Sequence, residues 1–339
     1  LNIPQSIRER RTIRRFNTTP VPPELVVSLL NDAVNLYEVK GTPRWRSLFA
    51  GMPESRQRLV ESMMTKMKEN RFVKLMPSKM IDFFIKRVTE IPAHLIFIAE
   101  SASDRRQSDE NFAAVCSVMQ NFQLLGWERG LGALWDTDPM FQSESFLAEI
   151  GLQEGERFAG ILHIGYFDKA PRARRRTPAE QKWTVIGEGR EADGLVRISA
   201  QSILEVLNDA VWAPNDGLRE PWRFIYVPGS EAAAKLSCSD GNTSSAFLLV
   251  VAEQEEDPHK QEEDYAAICC LIQNVQLLVK SRPWNVRRLL PEWIYDQNQC
   301  KVFGIQPEER VVAVLELGEN HQSLQSESSP PPLLNLTHL

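Results

Sequence analysis

ENFAAVCSVMQNFQLL (residues 110–125) recurs as EDYAAICCLIQNVQLL (residues 263–278), at an offset of 153. The same register carries AHLIFIAE (93–100) onto AFLLVVAE (246–253) and IGLQEGERFAGILHIG (150–165) onto FGIQPEERVVAVLELG (303–318). Nearer the start, SLLNDAVNLYEVKGTPRWRS (28–47) lines up with EVLNDAVWAPNDGLREPWRF (205–224) at an offset of 177, Trp45-Arg46 falling on Trp222-Arg223. One register held over more than 70 positions marks an internal duplication. The drop from 177 to 153 means that the second copy lacks 24 residues, between the first block and the strand near residue 95.

The chain therefore reads as copy one over 1–187 and copy two over 188–318, joined near 178–195, with a polar, Pro-rich tail over 319–339 expected to be disordered or draped on the surface. Each copy reads as mixed α/β. Its first helix starts at Pro22-Pro23-Glu24 in copy one, with proline and an acid in the first turn, and at Ser199, a good N-cap, in copy two. Continuous apolar strands follow at 95–99 and 248–252, then at 158–164 and 311–317. The helices near 110–127 and 263–280 are apolar almost all round, as buried helices are. The insert 51–87 reads as an amphipathic helix with Leu59, Met63, Met64, Met67 and Phe72 on its apolar face, either a lid or packing against the other copy, with a protein-docking surface as the alternative.

At 339 residues the chain has room for two domains, each able to bury a core without disulfides or metals. The net charge of −6 and a pI of about 5.6 argue against a general nucleic-acid binder. That total hides an asymmetry. Residues 1–187 hold 27 basic and 22 acidic side chains, a net +5, whereas 188–339 hold 12 and 23, a net −11. Five scattered cysteines (Cys116, Cys238, Cys269, Cys270, Cys300) fit buried apolar roles in a reducing cytoplasm. The histidines (His94, His163, His259, His321, His338) show no ligand spacing, so no metal is expected. No apolar run reaches the roughly 18 residues of a membrane span.

The positive charge of copy one is concentrated in two runs, IRERRTIRRF (7–16) and APRARRRTP (170–178); after its last strand copy two has ELGENHQSLQ, without arginine. Guanidinium forks are the donors that a phosphate dianion calls for: bidentate, charge-assisted and permanently protonated. A phosphate ligand bound to copy one would account for its +5.

RRTIRRF, APNDGLREPWRF (213–224), GLGALWDTDP (130–139) and GYFDKAPRARRRTP (165–178) together resemble the FMN-dependent nitroreductase family. The resemblance covers nearly the whole chain as two fused copies. It implies an α+β, three-layer α-β-α fold, here an intramolecular pseudo-dimer, with FMN held where two copies meet. Carried over, Arg10 contacts the FMN phosphate with Arg11 and Thr12 beside it, Arg14 reaches the ribityl chain or the N1/O2 edge, and Arg172 and Arg174 close on the phosphate. Thr137 and Asp138 fall where backbone amides approach flavin N5, although the family commonly has glycine at the position of Asp138. The loop against the ring is Pro214, Asn215, Asp216 and Leu218; Asn215 replaces the usual serine and Leu218 the usual asparagine. Copy one has Leu36–Gly41 in place of that loop, and copy two has GLVRIS (194–199) in place of the arginine arm. These complementary losses predict one composite FMN site per chain.

The activity implied is ping-pong: NADH or NADPH reduces the flavin, and a small electron-poor acceptor, a nitroaromatic or a quinone, takes the electrons. The absence of a His/Asp/Ser constellation fits chemistry carried by the flavin. A first alternative is a thiazoline or peptide-ring dehydrogenase, whose members typically carry a Lys-Tyr pair that no tyrosine here completes. A second is a non-catalytic flavin- or partner-binding protein. A cytoplasmic location, no nucleic-acid or membrane partner, and possible further homo-oligomerisation complete the expectations.

Overall fold

The computed structural model describes residues 2–37, 44–69, 77–138, 141, 143–186, 198–228, 246–253, 255–319 and 336–339. Cys238, Phe72, residues 38–41 and 194–197, the join over 187–195 and the tail over 320–335 lie outside them, as do the side chains of Met64 and Met67. Contacts divide the chain into two compact units. One comprises Glu9–Ala173 with Ser329–Leu339, the other Asn2–Arg8 with Arg174–Ser328. These units follow the repeat through their bodies and depart from contiguous copies at their ends.

In the first unit β1 (Trp45–Ala50), β2 (Ala93–Glu100), β3 (Leu131–Asp136) and β4 (Glu156–Tyr166) form an antiparallel sheet extended by β10 (Leu336–His338), in the order β10-β1-β2-β4-β3. Among these five strands the β10–β1 pair is parallel and the other pairs are antiparallel, Leu48 lying opposite Thr337. The expected disordered tail is thus corrected at its end, where the open edge of β1 pairs its backbone groups with an added strand. Helix Arg105–Glu128, capped by Asp104 accepting from the Arg106 amide, packs on one face of the sheet. It is buried from Asn111 through Leu124. Helix Pro23–Asn35, with proline at its first position, packs on it, and Asn121 Nδ2 donates to the Ala33 carbonyl at 2.9 Å.

The opposite face of the sheet is covered by the insert. Its helix Pro53–Glu69 sends Leu59, Val60 and Met63 into a cluster with Leu48, Ile96, Ile98 and Ile161 of the sheet and Phe146 of helix Glu144–Glu149. Leu59 and Met63 therefore serve the core of their own unit, a correction to the reading of their face as a lid, an inter-copy contact or a docking surface. Burying three such side chains stabilises the unit by several kcal/mol, at about 1.5–3 kcal/mol each.

The second unit repeats the design. β6 (Trp222–Pro228), β7 (Ala246–Glu253), β8 (Trp284–Leu289) and β9 (Glu309–Glu319) form the antiparallel body, and β5 (Trp183–Val185) adds in parallel to β6, giving β5-β6-β7-β9-β8. Helix Ala200–Ala210 is capped by Ser199 as expected, and helix Pro258–Val279 by Asp257. The correspondence reaches individual bonds. β2–β4 and β7–β9 break register at matching places, Phe97/Ile98 and Val250/Val251. Arg46 grips Glu156 at 2.7 Å as Arg223 grips Glu309 at 2.5 Å. Asn274 Nδ2 donates to Ala210 O at 3.1 Å as Asn121 does to Ala33. Arg157 lies over Phe112 as Arg310 lies over Tyr265. Cys116, Cys269, Cys270 and Cys300 are buried. No helix among the described residues is long and apolar enough to cross a membrane.

Candidate functional site

The arginine arm of the first unit runs beside β3. Thr12 bridges Ala133 in parallel, Ile13 N donates to Ala133 O at 3.0 Å, and Asn17 N donates to Tyr166 O at 2.8 Å. Glycine makes this seat possible: a Cβ on Gly132 would lie 2.4 Å from Ile13 Cγ1. The anchored backbone distributes the guanidinium groups. Arg10 is only 5 % exposed, Arg11 is half-buried, and Arg14 and Arg15 are exposed. Burial lowers the Arg11 pKa and the nearby Glu9 opposes that shift; Arg11 Nη1 donates to Arg10 O at 2.9 Å. Arg172, also exposed, belongs to this unit, whereas Arg174 belongs to the second. Buried and surface guanidinium groups along one anchored segment are a donor set that fits a phosphate monoester.

Thr137 and Asp138 follow directly on β3, half-buried and exposed respectively. Asp138 N donates to Asp136 Oδ1 at 3.0 Å, so the amide that the resemblance directs towards flavin N5 has an acceptor two residues back. Behind Asp136 lies a polar array that the sequence did not reveal. Asp136 Oδ2 is 3.4 Å from His163 Nε2, and His163 Nδ1 is 2.7 Å from His94 Nδ1. Both imidazoles are buried, at 2 % and 0 % exposure. Burial first, then His163 and Arg56, push the His94 pKa well below the usual value. Burial alone would raise the Asp136 pKa, but the His163 contact, the Asp138 amide and Arg14 outweigh it and hold the carboxyl below its ordinary range. The two histidines, 69 residues apart, face each other in the β2–β4 register. The signal for them was available: two polar rings in otherwise apolar strands, at positions where copy two has Phe247 and Glu316.

In the second unit the loop after helix Ala200–Ala210 is held by its own polar groups. Asn215 Oδ1 accepts from Glu220 N at 3.2 Å and its Nδ2 donates to Ala213 O at 3.2 Å, so both ends of that side chain are engaged within the loop. Gly217 has φ 56°, and Leu218 and Glu220 hold left-handed φ values of 62° and 49°, which cost a non-glycine residue roughly 1–2 kcal/mol each. The buried Glu220 carboxylate accepts from Thr177 N at 3.1–3.2 Å, and its carbonyl accepts from Lys182. Arg176 donates to Val211 O at 3.2 Å and lies over Trp212. Arg219 binds Asp264 at 2.9 Å and Glu263 at 3.3 Å. Burial, against the opposing Arg219 charge and with help from neighbouring acids, raises the Asp264 pKa to about 6. Pro214 is half-buried and Asp216 exposed.

This α+β unit has known relatives. Residues 7–166 match the Nitroreductase family. A putative NAD(P)H nitroreductase, YfhC of Bacillus subtilis strain 168, is 30 % identical over 178 residues, spanning 52 % of this chain and 91 % of that protein. The crystal structure of a nitroreductase-like family protein from Bacillus cereus superposes with a TM-score of 0.50 at 36 % identity, over 56 % of this chain and 97 % of the other. The chain belongs to the nitroreductase family, and its relatives support an oxidoreductase.

Proposed function

We propose that this protein is an FMN-dependent oxidoreductase that accepts electrons from NADH or NADPH and passes them to an electron-poor small molecule of nitroaromatic or quinone type. The observation that carries the reading is the arginine arm, its backbone fastened to Ala133 and Tyr166 while Arg10 is withdrawn from solvent. In this reading Arg10, Arg11, Thr12, Arg172 and Arg174 hold the flavin phosphate, and Arg14 meets the ribityl chain or the N1/O2 edge. There a fixed cation favours negative charge on the ring. Thr137 and Asp138 border N5, and Pro214, Asn215, Asp216 and Leu218 form the loop against the ring. Bound FMN supplies the two-electron chemistry, so no side chain needs to act as nucleophile. The chain is read as a fused pseudo-dimer that carries one FMN.

The test is anaerobic mixing of FMN-loaded protein with NADH or NADPH. Rapid bleaching of the yellow colour, followed by recovery on adding a quinone, is the expected result. Bleaching by a cyclic thiazoline but by neither nicotinamide would reverse the assigned direction, and no bleaching by any of them would make the protein a binder.

A further inference from the structure

The features that the fold itself requires occur twice: the Arg46–Glu156 and Arg223–Glu309 pairs, the Asn121 and Asn274 bonds, and the two register breaks. The Asp136–His163–His94 array occurs once. Its aligned positions in the second copy are Leu289, Glu316 and Phe247, where Glu316 is bound by Arg287 at 2.6 Å. A four-stranded body of this kind evidently closes without buried histidines. The array belongs to the copy with the arginine arm, and it lies on the sheet face covered by that copy's insert, which brings Arg56 towards His94.

The hydrogen bonding has a direction. The ionised Asp136 only accepts, so His163 Nε2 carries the hydrogen that faces it. In the tautomer with its hydrogen on Nε2, His163 has a bare Nδ1 that accepts from His94 Nδ1–H across 2.7 Å. This leaves His94 Nε2 as a bare ring nitrogen, and that buried atom has no hydrogen-bond partner among the described residues. Turning the histidine–histidine bond round would place an N–H rather than a lone pair at the buried, unpartnered His94 Nε2, and an orphaned buried N–H is the rarer arrangement. At the other end, the fixed carboxylate takes the Asp138 amide.

We propose that Asp136 is a positioning residue for the Thr137–Asp138 turn, oriented by His163, with His94 fixing the His163 tautomer. The turn is the backbone that the flavin reading sets at the N5 edge, so the functional half of this proposal rests on that reading. Its geometric half does not.

Two measurements separate them. In the flavin-free protein, amide exchange at Asp138 is compared among wild type, Asp136→Ala, His163→Leu and His163→Gln. The expected result is exchange about tenfold faster in Asp136→Ala and His163→Leu, the scale of one lost hydrogen bond. Protection should be largely kept in His163→Gln, whose amide retains a donor towards Asp136. Unchanged exchange in Asp136→Ala, or equal loss in the Leu and Gln variants, overturns the proposal. Should the variants not fold, nitrogen-15 imidazole shifts of the wild type decide: hydrogen on Nε2 of His163 and on Nδ1 of His94 is expected, and the reverse tautomers overturn it. FMN titration of the same proteins forms the second measurement. Wild-type protein that fails to bind FMN sinks the flavin reading alone. FMN bound equally tightly by wild type and Asp136→Ala, despite faster Asp138 exchange, sinks the link between turn and flavin.

Discussion

The two copies share one sheet body, and their differences lie away from the bonds that tie that body together. In both, an arginine–glutamate pair ties the strand after the first helix to the start of the last long strand. In both, an asparagine of the central helix holds the end of the first helix. Away from these shared bonds the copies part. The first keeps the arginine arm, the insert and the buried histidines; the second has Arg287–Glu316 in the histidine position and a loop with left-handed residues at Leu218 and Glu220. Duplication thus separates what the architecture demands, present in both copies, from what it can do without.

The largest effect should come from matched truncation of the shared core. Leu95 and Leu248 occupy equivalent places on β2 and β7 and are completely buried. Leu95→Ala and Leu248→Ala should each cost about 2–5 kcal/mol in chemical denaturation. Similar costs uphold structural equivalence, whereas a negligible cost in one copy breaks it. Next come the paired arginines. Arg46→Ala and Arg223→Ala should each destabilise by about 1.5–3 kcal/mol, the scale of a charge-assisted hydrogen bond. Neither should change FMN affinity. Arg10→Ala provides the contrast: FMN retention should weaken by about 1.5–3 kcal/mol, as measured by flavin titration. Unaltered affinity would mean that the phosphate has been misplaced.

A smaller, pH-dependent difference should appear at Asp264, which stands where the first copy has Asn111. Its pKa is raised from 3.8 to about 6, so the unfolded chain ionises it more readily than the folded one. The destabilisation is complete above pH 6 and disappears as the pH falls through 6 towards 3.8. Asp264→Asn, which copies Asn111, should therefore stabilise the protein at pH 8 by about 1–3 kcal/mol and lose that advantage near pH 4. Thermal melts at the two pH values check this. A gain that persists at pH 4 would assign the effect to packing instead of charge.

Much of this was readable in the residues because apolar periodicity and capping are local signals. Ser199 before helix Ala200–Ala210, Pro23 at the head of its helix, and the apolar runs of β2 and β7 all lie where the pattern puts them. The parallel edge strands were not readable. β5 and β10 are three residues long, and their place is set by open backbone groups on β6 and β1 rather than by any pattern of their own. The histidine array escaped for another reason. His94 and His163 are joined by cross-strand register, which no spacing within one strand encodes, and Asp136 joins them from a third strand. The direction of the insert's apolar face also depends on register, because alternation along β2 decides which side Ile96 and Ile98 offer to Leu59 and Met63.

The number of flavins that one chain holds decides between one composite site and two. Protein saturated with FMN, freed of excess and denatured, should release close to one FMN per chain. Release of two would mean that both copies hold flavin and that the differences between them are not complementary losses; release of none would remove the flavin from the account altogether.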